Sequence, residues 1–315
     1  MIALDRRFFR ERDAAPQIQR EVVEDIGRSS RPASAELPTT TGMSPPRLGN
    51  RYRLEALIGE GGMGVVYAAI DERLGRPVAV KMVREEQLGP DGLERFQREA
   101  RAAASLSHPY IVTVHDFGVD EGGAPYLVME RLYGRSLRNT LVADGRMAPD
   151  RALAILQGVA SAIDAAHAHG LIHRDLKPEN VFLSTDHVTK VLDFGIAKVT
   201  GATPTTGFAR SSGGLAGTVP YMSPEQMSGA RPAPGWDVWS LAVMAYEMLS
   251  GVHPFSAAAG GSGMPVTRPA PIRSFAPELP TPADAFFDRA LSLEPSRRPA
   301  TAPALVRDLQ AAITS

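Results

Sequence analysis

The chain has 315 residues, of which 43% are hydrophobic, so it can bury a sizeable core as one large domain or as two lobes. Its formal net charge of -1 gives no long-range field that would favour nucleic acid or an anionic membrane surface. The sequence has no cysteine, which excludes disulfides and thiolate metal sites. Because no stretch approaches the roughly 20 apolar residues of a bilayer span and no secretory leader is evident, we expect a cytoplasmic protein without a membrane span.

The first 50 residues differ in composition from the rest. They mix charges without a steady apolar period and become rich in Ser, Thr and Pro between residues 29 and 46. Residues 8–26 could form a short helix, but Pro16 interrupts it. We therefore predict a disordered N-terminal tail over residues 1–50.

Residues 51–131 show mainly strand signals. Short β-branched and aromatic runs alternate with glycine-containing turns, and one stretch places Phe96, Glu99 and Ala103 on a common helix face. We predict a small sheet crossed by one helix. The predicted strands are 52–58, 65–68, 78–83, 111–115 and 126–130, and the helix is 93–106.

Residues 132–315 are predicted to be mostly helical. Apolar residues recur with a helical period, and no internal repeat is evident. The sheet-rich part joins the helical part near Arg131–Gly134, so the predicted fold class is α+β with two lobes. The predicted helices are 151–169, 236–249, 283–293 and 300–313.

The most informative segment, residues 173–180, reads HRDLKPEN, and residues 193–195 read DFG. Together they bring two acids, an ammonium and an amide into one loop, with a third acid one hairpin later. A carboxylate that accepts a hydroxyl proton, oxygen ligands for a metal and positive charge for phosphate oxygens are the groups that phosphoryl transfer needs. The combination predicts phosphoryl transfer.

A glycine-rich segment, residues 59–66, reads GEGGMGVV and fits the pattern G-x-G-x-x-G-x-V. The pattern alone also suits dinucleotide binding, in which it must open a helix. Here the residues that follow, Val65 to Tyr67, are β-branched and aromatic and favour a strand. The better interpretation is a hairpin tip whose backbone amides approach phosphates.

These motifs resemble those of the bacterial eukaryotic-like serine/threonine protein kinases, and the resemblance covers residues 52–312. It implies a bilobal fold, ATP and Mg²⁺ as cofactors, with Mn²⁺ as an alternative ion, and protein Ser/Thr as acceptor. Only four of the 34 basic residues are lysines, and two of these, Lys81 and Lys177, fall inside the phosphate-handling motifs.

The resemblance implies a role for each motif residue. Asp175 would be the catalytic base, and Lys177 would neutralise the migrating phosphoryl group. Lys81 would bind phosphates and pair with Glu99, although Arg95, Arg98 or Arg101 could pair with Glu99 instead. The remaining assignments are metal ligation by Asn180 and Asp193, packing behind the site by His173 and Phe194, and nucleotide binding by Gly59, Gly61, Gly64, Val66, Ala79, Lys81, Glu130, Leu132 and Phe182, with Met129 as gatekeeper.

The segment between Asp193 and Glu225 is rich in Gly, Ser and Thr, which suggests a switch loop. We predict that it is autophosphorylated and that Arg174 pairs with the added phosphate. The resemblance further implies that Glu225 pairs with Arg298 and that Asp237 braces the catalytic loop. The chain departs from the family in one region. The segment of residues 256–282 is short and Gly/Pro-rich where the family usually has an additional helix used in docking, so we expect that helix to be truncated or absent.

Two other functions remain as alternatives. A non-catalytic nucleotide-binding scaffold would usually have lost one of the four residues Lys81, Asp175, Asn180 and Asp193, and none is lost. A small-molecule kinase is disfavoured by the long switch loop. The sequence does not show whether the chain forms homodimers, and it gives no reason to expect a nucleic-acid partner.

Overall fold

The structure is a computed structural model, and it describes residues 47–61, 64–84, 91–194, 221–256 and 268–314. The chain divides into residues 1–44 and a unit of residues 45–315, and every described residue belongs to the second unit. The predicted disordered tail and the helix considered at 8–26 therefore lie outside the described residues, apart from residues 47–50.

The N-terminal half is an antiparallel sheet of six strands in the order β1-β2-β3-β4-β6-β5. Successive strands run antiparallel because short turns connect them. One helix, α1 (Gly92–Ala104), packs on this sheet, as predicted. The strands are β1 (Arg47–Leu48), β2 (Tyr52–Gly61), β3 (Gly64–Asp71), β4 (Arg76–Val83), β5 (Val114–Val119) and β6 (Pro125–Glu130).

The two faces of this sheet carry separate apolar clusters because side chains alternate along each strand. On β4, Val78 and Val80 belong to one cluster, whereas Ala79 packs on the opposite face with Phe96 of α1. The same alternation directs Lys81, which is 7% exposed, to the face that carries Ala79. The sheet thus presents an ammonium on the face covered by α1.

One predicted strand is wrong in its bounds. Strand β5 begins at Val114, not at Ile111, and continues to Val119. Residues 110–112 instead bond the later strand β9 (Thr189–Val191), since Val112 N–H donates to Val191 O at 3.0 Å and Val191 N–H donates to Tyr110 O at 2.8 Å. Residues 111 and 112 are apolar because they are buried beside β9. In the sequence, two adjacent buried apolar residues look the same as part of a strand.

The C-terminal half is helical, and one of its helices is buried along almost its whole length. In α5 (Gly235–Ser250) every residue from Trp236 to Ser250 is buried, which explains its apolar sequence without a membrane. Gly251 ends α5 in the left-handed conformation that favours glycine. The other helices are α2 (Leu137–Asp144), α3 (Pro149–Ala168), α4 (Pro224–Met227), α6 (Pro282–Ala290) and α7 (Ala302–Thr314).

A small second sheet lies where the two halves meet. It consists of β7 (Gly134–Ser136), β8 (Val181–Ser184) and β9, all antiparallel. The loop 169–180 leads from α3 into β8, and β9 leads directly to Asp193. The predicted boundary at residues 131 and 132 falls between β6 and β7.

Two expectations about the C-terminal half are tested only in part. Between α5 and α6, the described residues 268–281 contain a single helical turn, Ile272–Ser274, and no longer helix; residues 257–267 lie outside the described chain. Within the described ranges, no helix is both long and apolar enough to cross a membrane.

Candidate active site

The loop that carries the HRD sequence is held by one carboxylate of α5. Asp237 accepts a hydrogen bond from His173 N–H at 2.8 Å and another from Arg174 N–H at 2.9 Å. Arg174 has a φ of 66°, a left-handed conformation that costs energy for a side chain with a Cβ. The two hydrogen bonds stabilise this turn, which confirms the prediction that Asp237 braces the loop.

Three of the predicted catalytic residues are in direct contact. The Lys177 ammonium lies 2.9 Å from Asp175 Oδ2. The Asn180 amide donates to the Asp175 carbonyl at 2.8 Å and to its Oδ2 at 3.2 Å. Because the amide nitrogen of Asn180 is engaged in this way, its Oδ1 stays available as a ligand.

Asp193 reaches the same place from the end of β9. The Leu192 N–H donates to the Asn180 carbonyl at 2.9 Å, and His173 Nε2 lies 2.8 Å from the Leu192 carbonyl, so both backbone polar groups of the residue before Asp193 are anchored. Asp193 itself has a φ of 58°. The following residue, Phe194, is 3% exposed, and its ring centroid lies 4.8 Å from that of His173. These two rings pack behind the loop, as predicted.

Lys81 joins the two lobes at Asp193. Its ammonium lies 2.7 Å from Asp193 Oδ2, and the two side chains are 9% and 20% exposed. Burial alone would raise the pKa of Asp193, but the charge and hydrogen bond of Lys81 outweigh it and hold the pKa below its usual range. Asp193 is therefore an ionised carboxylate.

Glu99 is not paired with Lys81 in this structure. It shares the inward face of α1 with Phe96 and Ala103, as predicted, but its Oε2 is buried and has no hydrogen-bond partner in the described part of the chain. Burial raises the pKa of Glu99, and the charges of Arg174 and nearby arginines oppose that shift only in part. The expected ion pair is absent from this arrangement because the Lys81 ammonium is bound to Asp193 instead.

The apolar residues expected around the nucleotide base lie mostly together. Val66, Ala79 and Leu132 pack in one cluster with Met129. Phe182 on β8 is half-buried and is not a member of that cluster. The Glu130 side chain is engaged in polar contacts: its Oε1 accepts hydrogen bonds from Lys190 Nζ at 2.7 Å and from Thr113 N–H at 2.7 Å.

Three of the four glycines in the 59–66 segment lie in the described part of the chain, and they serve different purposes. Gly64 has a φ of 156°, and a Cβ there would lie 1.9 Å from the Met82 carbonyl oxygen, so β3 can approach β4 only with glycine at this position. A Cβ on Gly61 would meet nothing within 4 Å, and one on Gly59 would make ordinary contact with Val66. Gly64 is thus required by the sheet, whereas the backbone of Gly61 faces open space.

Two further ion pairs join elements of the helical half. Arg298 NH2 lies 2.8 Å from Glu225 Oε1, and the Arg298 side chain is 3% exposed, as the resemblance implied. Arg138 on α2 bonds Glu179, Glu247 and Tyr221, which sequence reasoning did not single out. The signal was present in Glu247, one of two acids in the mostly apolar helix α5.

The donor atoms fit a hard divalent ion. Asn180 Oδ1 and the Asp193 carboxylate are oxygen ligands of the kind that Mg²⁺ prefers, and Mg²⁺ completes its shell with water and phosphate oxygens. Across the described ranges, no group of three or more His, Cys, Asp or Glu could hold a metal by itself. The site therefore suits an ion that arrives with a phosphorylated ligand.

Comparison with known proteins agrees with this geometry. The protein kinase domain family matches the chain over residues 52–308. Serine/threonine-protein kinase PknA of Mycobacterium tuberculosis is 44% identical over 220 residues, which are 67% of this chain and 50% of that protein. PknB of Mycolicibacterium smegmatis is 38% identical over 276 residues, 84% of this chain and 43% of that protein.

Solved structures show the same fold. The crystal structure of the Mycobacterium tuberculosis PknI kinase domain is similar with a TM-score of 0.70 and 27% identity, covering 85% of this chain and 98% of that one. The chain belongs to the protein kinase family. Its relatives are bacterial serine/threonine-protein kinases, so the resemblance read from the motifs and the bilobal fold class are confirmed. The chain spans about half the length of the curated relatives it matches.

Proposed function

We propose that this chain is a serine/threonine protein kinase that transfers the γ-phosphate of ATP to Ser or Thr of protein substrates. The contact of Asp175 with both Lys177 and Asn180 carries the proposal, because it assembles a base, a cation and a metal ligand in one loop. Asp193, which Lys81 reaches from the other lobe, completes the set.

In this proposal each residue performs one task. Asp175 orients the acceptor hydroxyl and accepts its proton, and Lys177 stabilises the negative charge on the transferring phosphoryl group. Lys81 binds phosphate oxygens and exchanges Asp193 for Glu99 when the catalytic arrangement forms. Mg²⁺, held by Asn180 and Asp193, would offset phosphate charge when bound; Mn²⁺ has the same ligand preference.

The surroundings of the loop support the assignment of the remaining residues. Val66, Ala79 and Leu132 offer an apolar cluster for the adenine base, with Phe182 and the backbone at Glu130 as further contacts. The open space at Gly61 leaves room for phosphates, and Gly59 lies beside it on the same strand. We propose the cytoplasm as the compartment because it supplies ATP, and autophosphorylation between residues 195 and 220 as the activating event.

Incubation of the purified protein with labelled ATP, Mg²⁺ and a generic protein acceptor tests this function. We expect label on phosphoserine and phosphothreonine. Asp175→Asn should lower turnover by about 10²–10⁴-fold, the usual contribution of general acid–base help, while nucleotide binding measured by calorimetry is retained. Equal turnover of the variant would show that the base is wrongly assigned, and nucleotide binding without any transfer would favour a scaffold.

A further inference from the structure

The peptide group between Arg174 and Asp175 is held by hydrogen bonds at both of its polar atoms. The side-chain amide of Gln226 donates to the Arg174 carbonyl oxygen at 2.8 Å, and the Asp175 N–H donates to His173 Nδ1 at 3.3 Å. A peptide group is planar, so contacts that fix its oxygen and its N–H also fix the position of the Asp175 Cα. Gln226 thus acts on the backbone that carries the proposed base.

Gln226 complements the contact that Asp237 makes with the same residue. Asp237 accepts the Arg174 N–H at 2.9 Å, whereas Gln226 binds the Arg174 carbonyl from α4, 52 residues along the chain. Arg174 has a φ of 66°, which is unfavourable for a residue with a Cβ, and each contact opposes its relaxation to a commoner conformation. The two side chains therefore hold Arg174 from its two ends.

The position of Gln226 is well determined by its surroundings. Its side chain is buried, and its backbone N–H donates to Ser223 Oγ at 3.2 Å at the start of α4. Ser240 of α5 donates to the Tyr221 carbonyl at 2.7 Å, so the chain that leads into α4 is anchored as well. Gln226 is a donor on an anchored element.

A glutamine amide suits this position. Glutamine is mostly exposed in proteins, and its burial costs free energy unless its polar atoms are bonded. The uncharged amide can donate to a carbonyl without bringing a charge into the helical half. An apolar side chain of the same size would leave the Arg174 carbonyl without this donor.

We propose that Gln226 is a positioning residue for the catalytic base, whose hydrogen bond to the Arg174 carbonyl holds the backbone of Asp175 in the orientation that phosphoryl transfer requires. The proposal rests on the proposed protein kinase function and adds a residue to its machinery. It also links α4 to the base. Pro224, the first residue of α4, comes three residues after Tyr221, where the described chain resumes beyond the 195–220 segment.

Gln226→Met tests the proposal, because methionine has a similar length and cannot donate a hydrogen bond. With labelled ATP, Mg²⁺ and the generic protein acceptor, we expect kcat to fall at least about tenfold, since a slight misplacement of a reacting group can cost about 10²-fold. The Kd for ATP, measured by calorimetry, should change by less than about threefold because Lys81 and the apolar cluster remain. An unchanged kcat, or an equal loss of ATP binding, would overturn the proposal.

Two control variants separate the hydrogen bond from the stability of α4. Ser228→Ala removes a bond at the end of this helix, in which Ser228 Oγ donates to the Glu225 carbonyl at 2.9 Å, and it leaves the Arg174 carbonyl untouched. Gln157→Met makes the same substitution at an exposed position of α3. Both should keep kcat within about twofold of the wild type. A loss in Ser228→Ala as large as that in Gln226→Met would contradict the proposal.

A double variant tests whether Gln226 and Asp237 act on the same backbone. Groups that act as a unit have strongly non-additive effects. In the Asp237→Ala background, Gln226→Met should therefore lower kcat by no more than about threefold. If the two single effects instead multiply, Gln226 has an independent role and the proposal is wrong.

Hydrogen exchange measured by mass spectrometry gives a result that does not depend on turnover. For the peptide that covers residues 171–177, we expect exchange to be at least about fivefold faster in Gln226→Met and unchanged in Ser228→Ala. Unchanged exchange in Gln226→Met would overturn the proposal. If the wild type transfers no phosphate, the proposed function fails, whereas the exchange rate still decides on Gln226.

A second substitution covers a failure of Gln226→Met to fold. Gln226→Asn keeps the amide, but its side chain is one methylene shorter and does not reach the Arg174 carbonyl. The same loss of kcat, retained ATP binding and faster exchange are expected, and wild-type values of kcat and exchange would overturn the proposal.

Discussion

Lys81 shows how one residue combines a structural and a chemical role. It is one of only four lysines in the chain, and its compact ammonium lies 2.7 Å from Asp193 across the two lobes. Burial disfavours an ionised Asp193, but Lys81 lowers its pKa nevertheless. The Asp193 carboxylate is therefore stabilised in this state mainly by a residue from the other lobe.

Replacement of Lys81 by Met should abolish autophosphorylation and leave a folded but weakened protein. The variant leaves a buried carboxylate without its cation, for which we expect a loss of about 3 kcal/mol at neutral pH. Urea unfolding measured by circular dichroism, together with labelled-ATP autophosphorylation, checks both effects.

The pH dependence of this variant follows from the sign of the Asp193 shift. In the wild type the lowered pKa stabilises the fold above the unfolded value of about 3.9, and that stability is lost as pH falls through the folded pKa. In Lys81→Met, burial is opposed only by the weaker charge effects of His173 and Lys177, so the deficit should be largest at pH 7 and shrink on acidification. Lys81→Met/Asp193→Asn is the matched control and should recover much of the loss; a deficit independent of pH would contradict the explanation.

At the scale of elements, the first turn of α5 organises the catalytic loop. Asp237 is fully buried, accepts two backbone N–H bonds from the loop and lies 2.7 Å from His167 Nε2 of α3. One carboxylate of α5 thus connects this helix to α3 and to the loop 169–180. The loop needs this support because Arg174 adopts a positive φ angle.

Asp237→Ala should therefore damage turnover more than nucleotide binding. It removes the acceptor of two buried N–H groups, which we expect to cost about 3 kcal/mol of stability. Since Lys81 and the apolar cluster remain, the Kd for ATP should stay within a few-fold, while kcat falls by more than tenfold. Steady-state kinetics, calorimetry and thermal unfolding measure the three quantities.

Asp164→Ala on the exposed face of α3 is the matched control, and its stability should stay within about 0.5 kcal/mol of the wild type. If Asp237→Ala weakens ATP binding by as large a factor as it lowers kcat, the loop is not the principal target of the substitution.

At the scale of the whole molecule, the structure shows the two lobes joined by an ion pair between Lys81 and Asp193. The Oε2 atom of Glu99 on α1 is buried and has no hydrogen-bond partner among the residues described. An unpaired buried carboxylate stores free energy that a Lys81–Glu99 pair would release. The molecule is thus held in an arrangement that we propose is inactive.

Glu99→Gln should stabilise this arrangement and lower activity at the same time. Because the pKa of Glu99 is raised, its ionised form destabilises the fold at pH 8, and that penalty disappears as pH falls towards the unfolded value of about 4.3. We expect a gain of about 1 kcal/mol at pH 8 that fades by pH 4, with kcat reduced because the neutral amide pairs poorly with Lys81.

Thermal unfolding across this pH range, with the exposed Glu121→Gln as control, measures the stability effect. A variant that is less stable than the wild type at every pH would show that the Glu99 carboxylate already has a stabilising partner.

Periodicity was enough to locate the long helices α3, α5 and α7 to within a few residues, because each has a continuous apolar face or core. It failed at residues 111 and 112, which are apolar because they are buried beside β9 and not because they belong to β5. Motif order located Asp175, Asn180 and Asp193, whose chemistry depends on short spacing. It did not reveal Arg138, because its partners are 41 and 109 residues away in the chain.

The amino-acid sequence by itself determined the family and the two-lobe fold class, and it predicted the residues that would handle phosphate, because local spacing decides which groups share a loop. Only the tertiary structure decided which partner each charge takes. Lys81 binds Asp193, the Oε2 atom of Glu99 has no hydrogen-bond partner within the described ranges, and Arg138 bridges Glu179 and Glu247. The pairing of charged side chains depends on how distant parts of the chain are placed and buried in the fold. The spacing of residues along the chain determines neither.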